Sequence, residues 1–188
     1  GRVAVLREGL EQMDLPLKAG GGLAQRVVHI VQGQIAVTDE PDIIYTAIIG
    51  SCVVVCLYDP ISKRGGMAHF LFPDGEAYGA SETRFGHQAL TELITQIVGP
   101  GEDTKQLQAS LYGGAKVHDG RRDIGKRNAE FATRFLGQQS IRVVGHGLFG
   151  DRVRRVNFSP FRGTFVETFL SSGKSEESAE ADAETTDA

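Results

Sequence analysis

Two side chains in this sequence have the types and the spacing for covalent chemistry, Cys52 and His69. A thiol beside an imidazole is the minimal activated cysteine nucleophile, because the ring takes the thiol proton and the thiolate attacks. Cys52 lies in Gly50-Ser51-Cys52-Val53-Val54-Val55-Cys56-Leu57-Tyr58, a β-type run opened by small residues. Asp59-Pro60-Ile61-Ser62 reads as a turn, and Gly65-Gly66-Met67-Ala68-His69-Phe70-Leu71-Phe72 is a second apolar run. Two such runs around a tight turn predict a β-hairpin. With the turn centred on Pro60-Ile61, facing residues have numbers that sum to 121, which sets Cys52 directly opposite His69. Opposed side chains in an antiparallel pair stand roughly 5 Å apart on one face. A slip of one residue would send them to opposite faces.

A Cys-His pair needs a third group to orient the imidazole. Thr46 is one candidate, with a hydroxyl able to accept the proton on the far ring nitrogen. Ser51, Tyr45 and a backbone carbonyl fit the spacing as well. Gly50 and Ser51 let backbone approach a substrate and offer amide donors to an oxyanion; a plain kink at the strand edge has the same sequence. Cys56 shares the strand face of Cys52, has no facing histidine and is assigned to the core. His29, His87, His118 and His146 have no comparable partner and read as surface or structural residues. Gly113-Gly114-Ala115 has the composition of an anion cradle, but no Lys-Ser/Thr follows, which excludes a P-loop. Arg152, Arg154 and Arg155 read as a small solvated basic cluster.

The elements that must position these residues are mostly strands. Val27–Val31, Gln34–Val37 and Ile43–Ile48 have strand composition, and the hairpin follows them. From Ser81 to Val98 apolar residues recur at 85, 89, 90, 93, 94 and 97, a helical spacing stopped by Gly99-Pro100-Gly101. Leu107–Tyr112 reads as a strand and Asp123–Leu136 as a second helix. Ile141–Val144, Val153–Phe158 and Thr164–Phe169 read as closing strands. Two helices among many strands, with hairpins between, predict a layered α+β domain rather than a doubly wound parallel fold.

The chain has 188 residues, enough for one domain with a real core, with 40% hydrophobic and 23% charged content. Residues 1–26 read as a loose leader, 27–170 as the domain and 171–188 as an acidic, disordered tail. That tail carries six acids and one lysine, so the net charge of −4 belongs to it and the remainder is close to neutral. No strongly basic face for nucleic acid is expected. The longest apolar stretch, twelve residues from Ala47 to Tyr58, is short of the roughly 20 that a membrane helix requires. With no signal-peptide core at the N-terminus, the expected location is the cytoplasm. Cys52 and Cys56, four residues apart in one strand, are roughly 13 Å apart at about 3.3 Å per residue, too far to bridge. They offer a poor zinc site, and no metal or cofactor is expected.

At these positions the chain resembles the CheD family, chemoreceptor glutamine deamidases of chemotaxis. The resemblance runs in order through Thr46, Gly50-Ser51-Cys52-Val53, Ala68-His69-Phe70 and Pro73. It continues with Tyr112-Gly113-Gly114-Ala115, Ile124-Gly125, Arg127-Asn128, Arg154 and Gly163. It implies a hydrolase that converts receptor glutamines to glutamates with release of ammonia. Cys52 would be the nucleophile, His69 the general base and acid, and Thr46 the orienter. It also implies a fold like that of toxin-type glutamine deamidases, the cytoplasmic domains of chemoreceptors as substrate, and a CheC-type phosphatase as partner. Phe149 departs from the family pattern, standing in His146-Gly147-Leu148-Phe149-Gly150-Asp151 where a glycine is common. Three other readings keep the same residues: a glutamate methylesterase, a cysteine peptidase, and a non-enzymatic chemotaxis regulator that binds a phosphatase or receptor.

Overall fold

The computed structural model describes residues 4–5, 24–71, 80–117 and 123–171. Ten strands and two helices follow one another as β1 (Ala4–Val5), β2 (Arg26–His29), β3 (Gln34–Thr38), β4 (Ile43–Ile49), β5 (Val53–Asp59), β6 (Arg64–Phe70), α1 (Ala80–Val98), β7 (Gln108–Gly113), α2 (Ile124–Gln138), β8 (Arg142–Leu148), β9 (Arg154–Ser159) and β10 (Thr164–Phe169). A six-stranded sheet runs β1-β3-β6-β5-β7-β8 and a four-stranded sheet runs β10-β9-β4-β2. Both are mixed: β1–β3, β7–β8 and β2–β4 pair in parallel. The layered α+β expectation holds. Little of the proposed leader or tail can be placed. β1, residues 24–25 and the start of β2 fall within residues 1–26, and the rest of the leader and the tail beyond residue 171 lie outside the described residues.

Strand alternation explains the layering. On β5, Val53, Val55 and Leu57 point to one face and meet Leu90 and Leu93 of α1 and Ala132 and Leu136 of α2. Val54 and Cys56 point to the other face and meet Tyr45, Ala47 and Ile49 of β4 and Val156 and Phe158 of β9. β5 is buried on both faces, so it reads as the near-continuous apolar run of a central strand. The 19-residue α1 keeps Ala89, Leu90, Leu93, Ile94 and Ile97 against the sheet, as the spacing predicts. The side chain of residue 85 lies outside the described set. Asp123 caps α2, its carboxylate accepting from the amide of Lys126 at 2.9 Å.

The hairpin forms, but its register differs from the expected one. Val54 faces His69, Val53 faces Phe70 and Asp59 faces Arg64, so facing numbers sum to 123. Cys52 precedes the ladder and is not directly opposite His69. The loop is responsible. Asp59 accepts from the Ile61 amide and the Ser62 hydroxyl, each at 2.9 Å, and Lys63 turns back with φ of 54°. The turn at Pro60-Ile61 is thus followed by two more loop residues rather than by the next strand. The shift is even, so Cys52 stays on the side of His69.

Candidate active site

Cys52 and His69 face the space between the two sheets, whereas Thr46 alternates with the inward-facing Tyr45 and Ala47 and stands on the other face of β4. Cys52 packs against the inter-sheet cluster that contains Val54, Met67 and Tyr112. His69 follows Met67 by two residues on β6 and is 5% exposed. Its Nδ1 lies 2.9 Å from the carbonyl oxygen of Ile30, while Nε2 is buried without a hydrogen-bond partner. A carbonyl only accepts, so Nδ1 carries the ring proton and Nε2 presents the basic lone pair. The sequence left a backbone carbonyl open as the orienting group, and Ile30 supplies one.

Thr46 is buried and its hydroxyl donates to Oδ1 of Asn157 at 2.7 Å. Its own carbonyl accepts from the Ile30 amide at 2.8 Å. Thr46 therefore touches the residue that orients the ring, through backbone, and its hydroxyl serves β9. Tyr45 points into the inter-sheet core.

The Cys52 loop is held by its carbonyls. Gly114 donates to the Cys52 oxygen at 2.8 Å and Ala115 to the Gly50 oxygen at 2.9 Å. Asn128, buried on α2, donates from Nδ2 to the Ser51 oxygen at 3.0 Å. Three successive carbonyls of the loop, those of Gly50, Ser51 and Cys52, are thus each held by a donor. The amide of Cys52 itself favours the thiolate. Such an amide is the kind of donor an oxyanion needs. The anion-cradle reading of Gly113-Gly114-Ala115 is replaced by this one, because these residues seat the nucleophile loop. A Cβ on Gly113, whose φ is 113°, would stand 2.0 Å from the Cys52 oxygen.

Burial sets the electrostatics. It pushes the Cys52 thiol above its ordinary value, partly offset by the cysteine's own amide. It pushes the His69 imidazole below its ordinary value, partly offset by the Ile30 carbonyl. The pair at rest is neutral thiol and neutral ring, not thiolate and imidazolium. The two make no hydrogen bond to each other. The thiol instead donates to Oε1 of Gln32 at 3.7 Å. Cys56, 1% exposed, faces Met67 in the core, as its strand position suggested. Both cysteines are free.

Two residues that the sequence reading undervalued brace this end of the fold. Arg154 is not part of a solvated cluster. Arg152 and Arg155 are exposed, but Arg154 is buried, pairs with Glu167 at 2.7 Å and donates to the carbonyls of Gly147 and Phe149. Phe149 adopts φ of 69°, a conformation that favours glycine, so the loop keeps a glycine-like path while exposing an aromatic ring. Its amide donates to the Gly113 oxygen at 2.9 Å, which joins this loop to the seat of Cys52. Asn128 and Arg154 carried a sequence signal only as points of family resemblance; Gln32 carried none. Of the other histidines, His29 and His146 are exposed, His87 packs edge-on against Phe135, and His118 lies outside the described residues. Among the described residues no group of three His, Cys, Asp or Glu side chains is placed to hold a metal ion, and no helix is long and apolar enough to cross a membrane.

Comparison with known proteins gives a consistent result. Residues 71–167 match the family model described as CheD chemotactic sensory transduction. A protein of Acidiphilium cryptum is 40% identical over 160 residues, 82% of this chain and 84% of its own. One of Caulobacter vibrioides is 41% identical over 139 residues, 72% and 74% of the two chains. One of Agrobacterium fabrum is 39% identical over 141 residues, 74% and 78%. Each bears the name "Probable chemoreceptor glutamine deamidase CheD". Among solved structures, the hypothetical protein YfiH of Bacillus licheniformis aligns at a TM-score of 0.40 with 14% identity, over 66% of this chain and 60% of its own, too distant to bear on function. With identities near 40% sustained over most of both chains, this protein belongs to the CheD family.

Proposed function

We propose that this protein hydrolyses the side-chain amides of glutamines on the cytoplasmic domains of chemotaxis receptors, yielding glutamate and ammonia. The observation that carries the reading is His69. Its proton is fixed at Nδ1 and its basic Nε2 is unpartnered on the side of the fold where Cys52 stands. The relatives' names supply the substrate class.

In this scheme Nε2 of His69 takes the Cys52 proton and the thiolate attacks the glutamine Cδ. The oxyanion is received by the Cys52 amide, beside Gly50 and Ser51. Such preorganised donors are usually the largest electrostatic contribution to catalysis. The imidazolium then protonates the departing ammonia, leaving a thioester. Water, deprotonated by the same ring, releases glutamate and frees the thiol. The Thr46 carbonyl accepts from the Ile30 amide and so steadies the residue whose own carbonyl orients the ring. A protein substrate suits a nucleophile at the open end of two sheets better than one in a deep pocket.

The test is peptide mapping by mass of a chemoreceptor cytoplasmic fragment after incubation with this protein or with Cys52→Ala. A gain of about 1 Da per converted glutamine, seen only with the intact thiol, supports the reading. No gain on any cognate receptor overturns it. Methanol in place of ammonia would mark a methylesterase. A purely binding regulator would suit a sealed Cys52; Cys52 is half-buried, and the sealed cysteine is Cys56. Association with a CheC-type phosphatase, implied by family resemblance, is a separate property that co-purification tests.

A further inference from the structure

We infer that Gln32 is an internal stand-in for the substrate: in the free protein its carboxamide occupies the seat beside the Cys52 sulfur that a receptor glutamine must take, and it yields that seat when the glutamine arrives. The inference rests on the reading of Cys52 as nucleophile.

Gln32 and Gly33 form the turn between β2 and β3. The backbone on both sides of Gln32 is fastened to His69. The Gly33 amide donates to the His69 carbonyl at 2.7 Å, and the His69 ring donates to the Ile30 carbonyl at 2.9 Å. Val31 and Gln34 close the turn on each other, with Gln34 donating to the Val31 oxygen at 3.0 Å and Val31 to the Gln34 side chain at 2.9 Å. The turn is therefore registered on His69, while the Gln32 side chain is exposed. The Cys52 thiol, at 3.7 Å from Oε1, is the sole hydrogen-bond partner of its carboxamide among the described residues.

This placement accounts for two facts together. The thiol is bonded to an amide oxygen rather than to its base, and the Nε2 of His69 is left without a partner. It also bears on selectivity. An incoming glutamine displaces the Gln32 oxygen and brings its own carbonyl to the Cys52 amide, which offsets the lost bond. An apolar side chain must break the Gln32 bond without replacing it. The product glutamate carries a charge into a half-buried site, which favours its release. Gln32 is not itself consumed. The thiol donates to its carbonyl oxygen, and the backbone of the turn that carries it is fastened to His69.

The experiment compares the full chain with Gln32→Ala and Gln32→Met, the second keeping the length of the side chain and losing the amide. Alkylation of Cys52 by iodoacetamide is followed by peptide mass, and KM is measured for a receptor fragment. Both variants should alkylate about threefold faster or more, the population held back by one weak hydrogen bond, and KM should fall by a similar factor. Alkylation at the wild-type rate, or a raised KM, overturns the stand-in while Cys52→Ala still abolishes deamidation. Glutamate found at position 32 of the wild type and not of Cys52→Ala also overturns it, because Gln32 would then be a substrate. Deamidation that persists in Cys52→Ala is the separate failure of the nucleophile assignment.

Discussion

His69 donates from Nδ1 to the carbonyl of Ile30 at 2.9 Å, and this bond decides which nitrogen can act as a base. Nε2 is left as the lone pair, buried and unpartnered. The ring is oriented by backbone, so the third member of the site has no side-chain signature.

Replacement of His69 by Gln is expected to lower kcat/KM by about 10²–10⁴-fold, the usual range for a general acid–base group. Folding should survive, because a neutral amide can still donate to the Ile30 carbonyl. Steady-state ammonia release together with a urea titration checks both. A wild-type rate in a folded variant would remove His69 from the mechanism.

The same burial makes a stability prediction. His69 is held below its ordinary pKa when folded and titrates near about 6.5 when unfolded. Its contribution is complete above about 6.5 and is lost as pH falls below that value, because the unfolded chain takes up the proton first. Urea midpoints at several pH values between 7.5 and 5 should fall more steeply in the wild type than in His69→Gln. The limit is about 1.4 kcal/mol per pH unit for one proton. Equal slopes would show that the ring does not titrate differently on folding.

Asn128 ties α2 to the Ser51 carbonyl at 3.0 Å. Asn128→Ala should cost about 1–3 kcal/mol through the lost bond and the orphaned carbonyl. It should also lower kcat more than KM, since the nucleophile loop is loosened. Kinetics well below the melting range separate the two effects, and an unchanged kcat would assign Asn128 to stability alone.

Gly113 and Gly101 form a matched pair. Both have positive φ, 113° and 72°, but a Cβ on Gly113 would collide with the Cys52 oxygen while one on Gly101 meets nothing within 4 Å. Gly101→Ala should cost only backbone strain, about 1 kcal/mol, with activity retained. Gly113→Ala should displace the Cys52 loop and abolish deamidation even where the protein folds. Cys52 alkylation and thermal melts of both variants decide it.

The Arg154–Glu167 pair should behave as a buried ion pair. Glu167→Gln leaves the guanidinium buried beside the Gly147 and Phe149 carbonyls without its counter-charge, at a cost of about 3 kcal/mol. Arg155→Ala, on the exposed neighbour, should change the urea midpoint little. Similar losses for the two would show that Arg154 is solvated.

Much of this protein was determined by local pattern. The continuous apolar run Val53 to Tyr58 marked a strand buried on both faces, because a strand with a period of two sends alternate residues to opposite sides; which set meets the helices and which the second sheet was decided by the fold. The spacing of Ala89, Leu90, Leu93, Ile94 and Ile97 fixed the buried face of α1, because a helix has a period near 3.6. The reactive residue types, Cys52 and His69, were legible as chemistry. Tertiary structure decided the rest, since it depended on chain segments far apart in sequence. The hairpin register turned on how Asp59 and Lys63 shape four loop residues, which shifts every facing pair by two. The orienting carbonyl of Ile30 and the thiol's contact with Gln32 come from a turn 20 or more residues away, brought in by β-pairing. Arg154 resembled its exposed neighbours in sequence and became buried because β10 placed Glu167 beside it. A residue's type states what it can do; its partners, backbone groups above all, carry no side-chain signal and exist only once the sheets have closed.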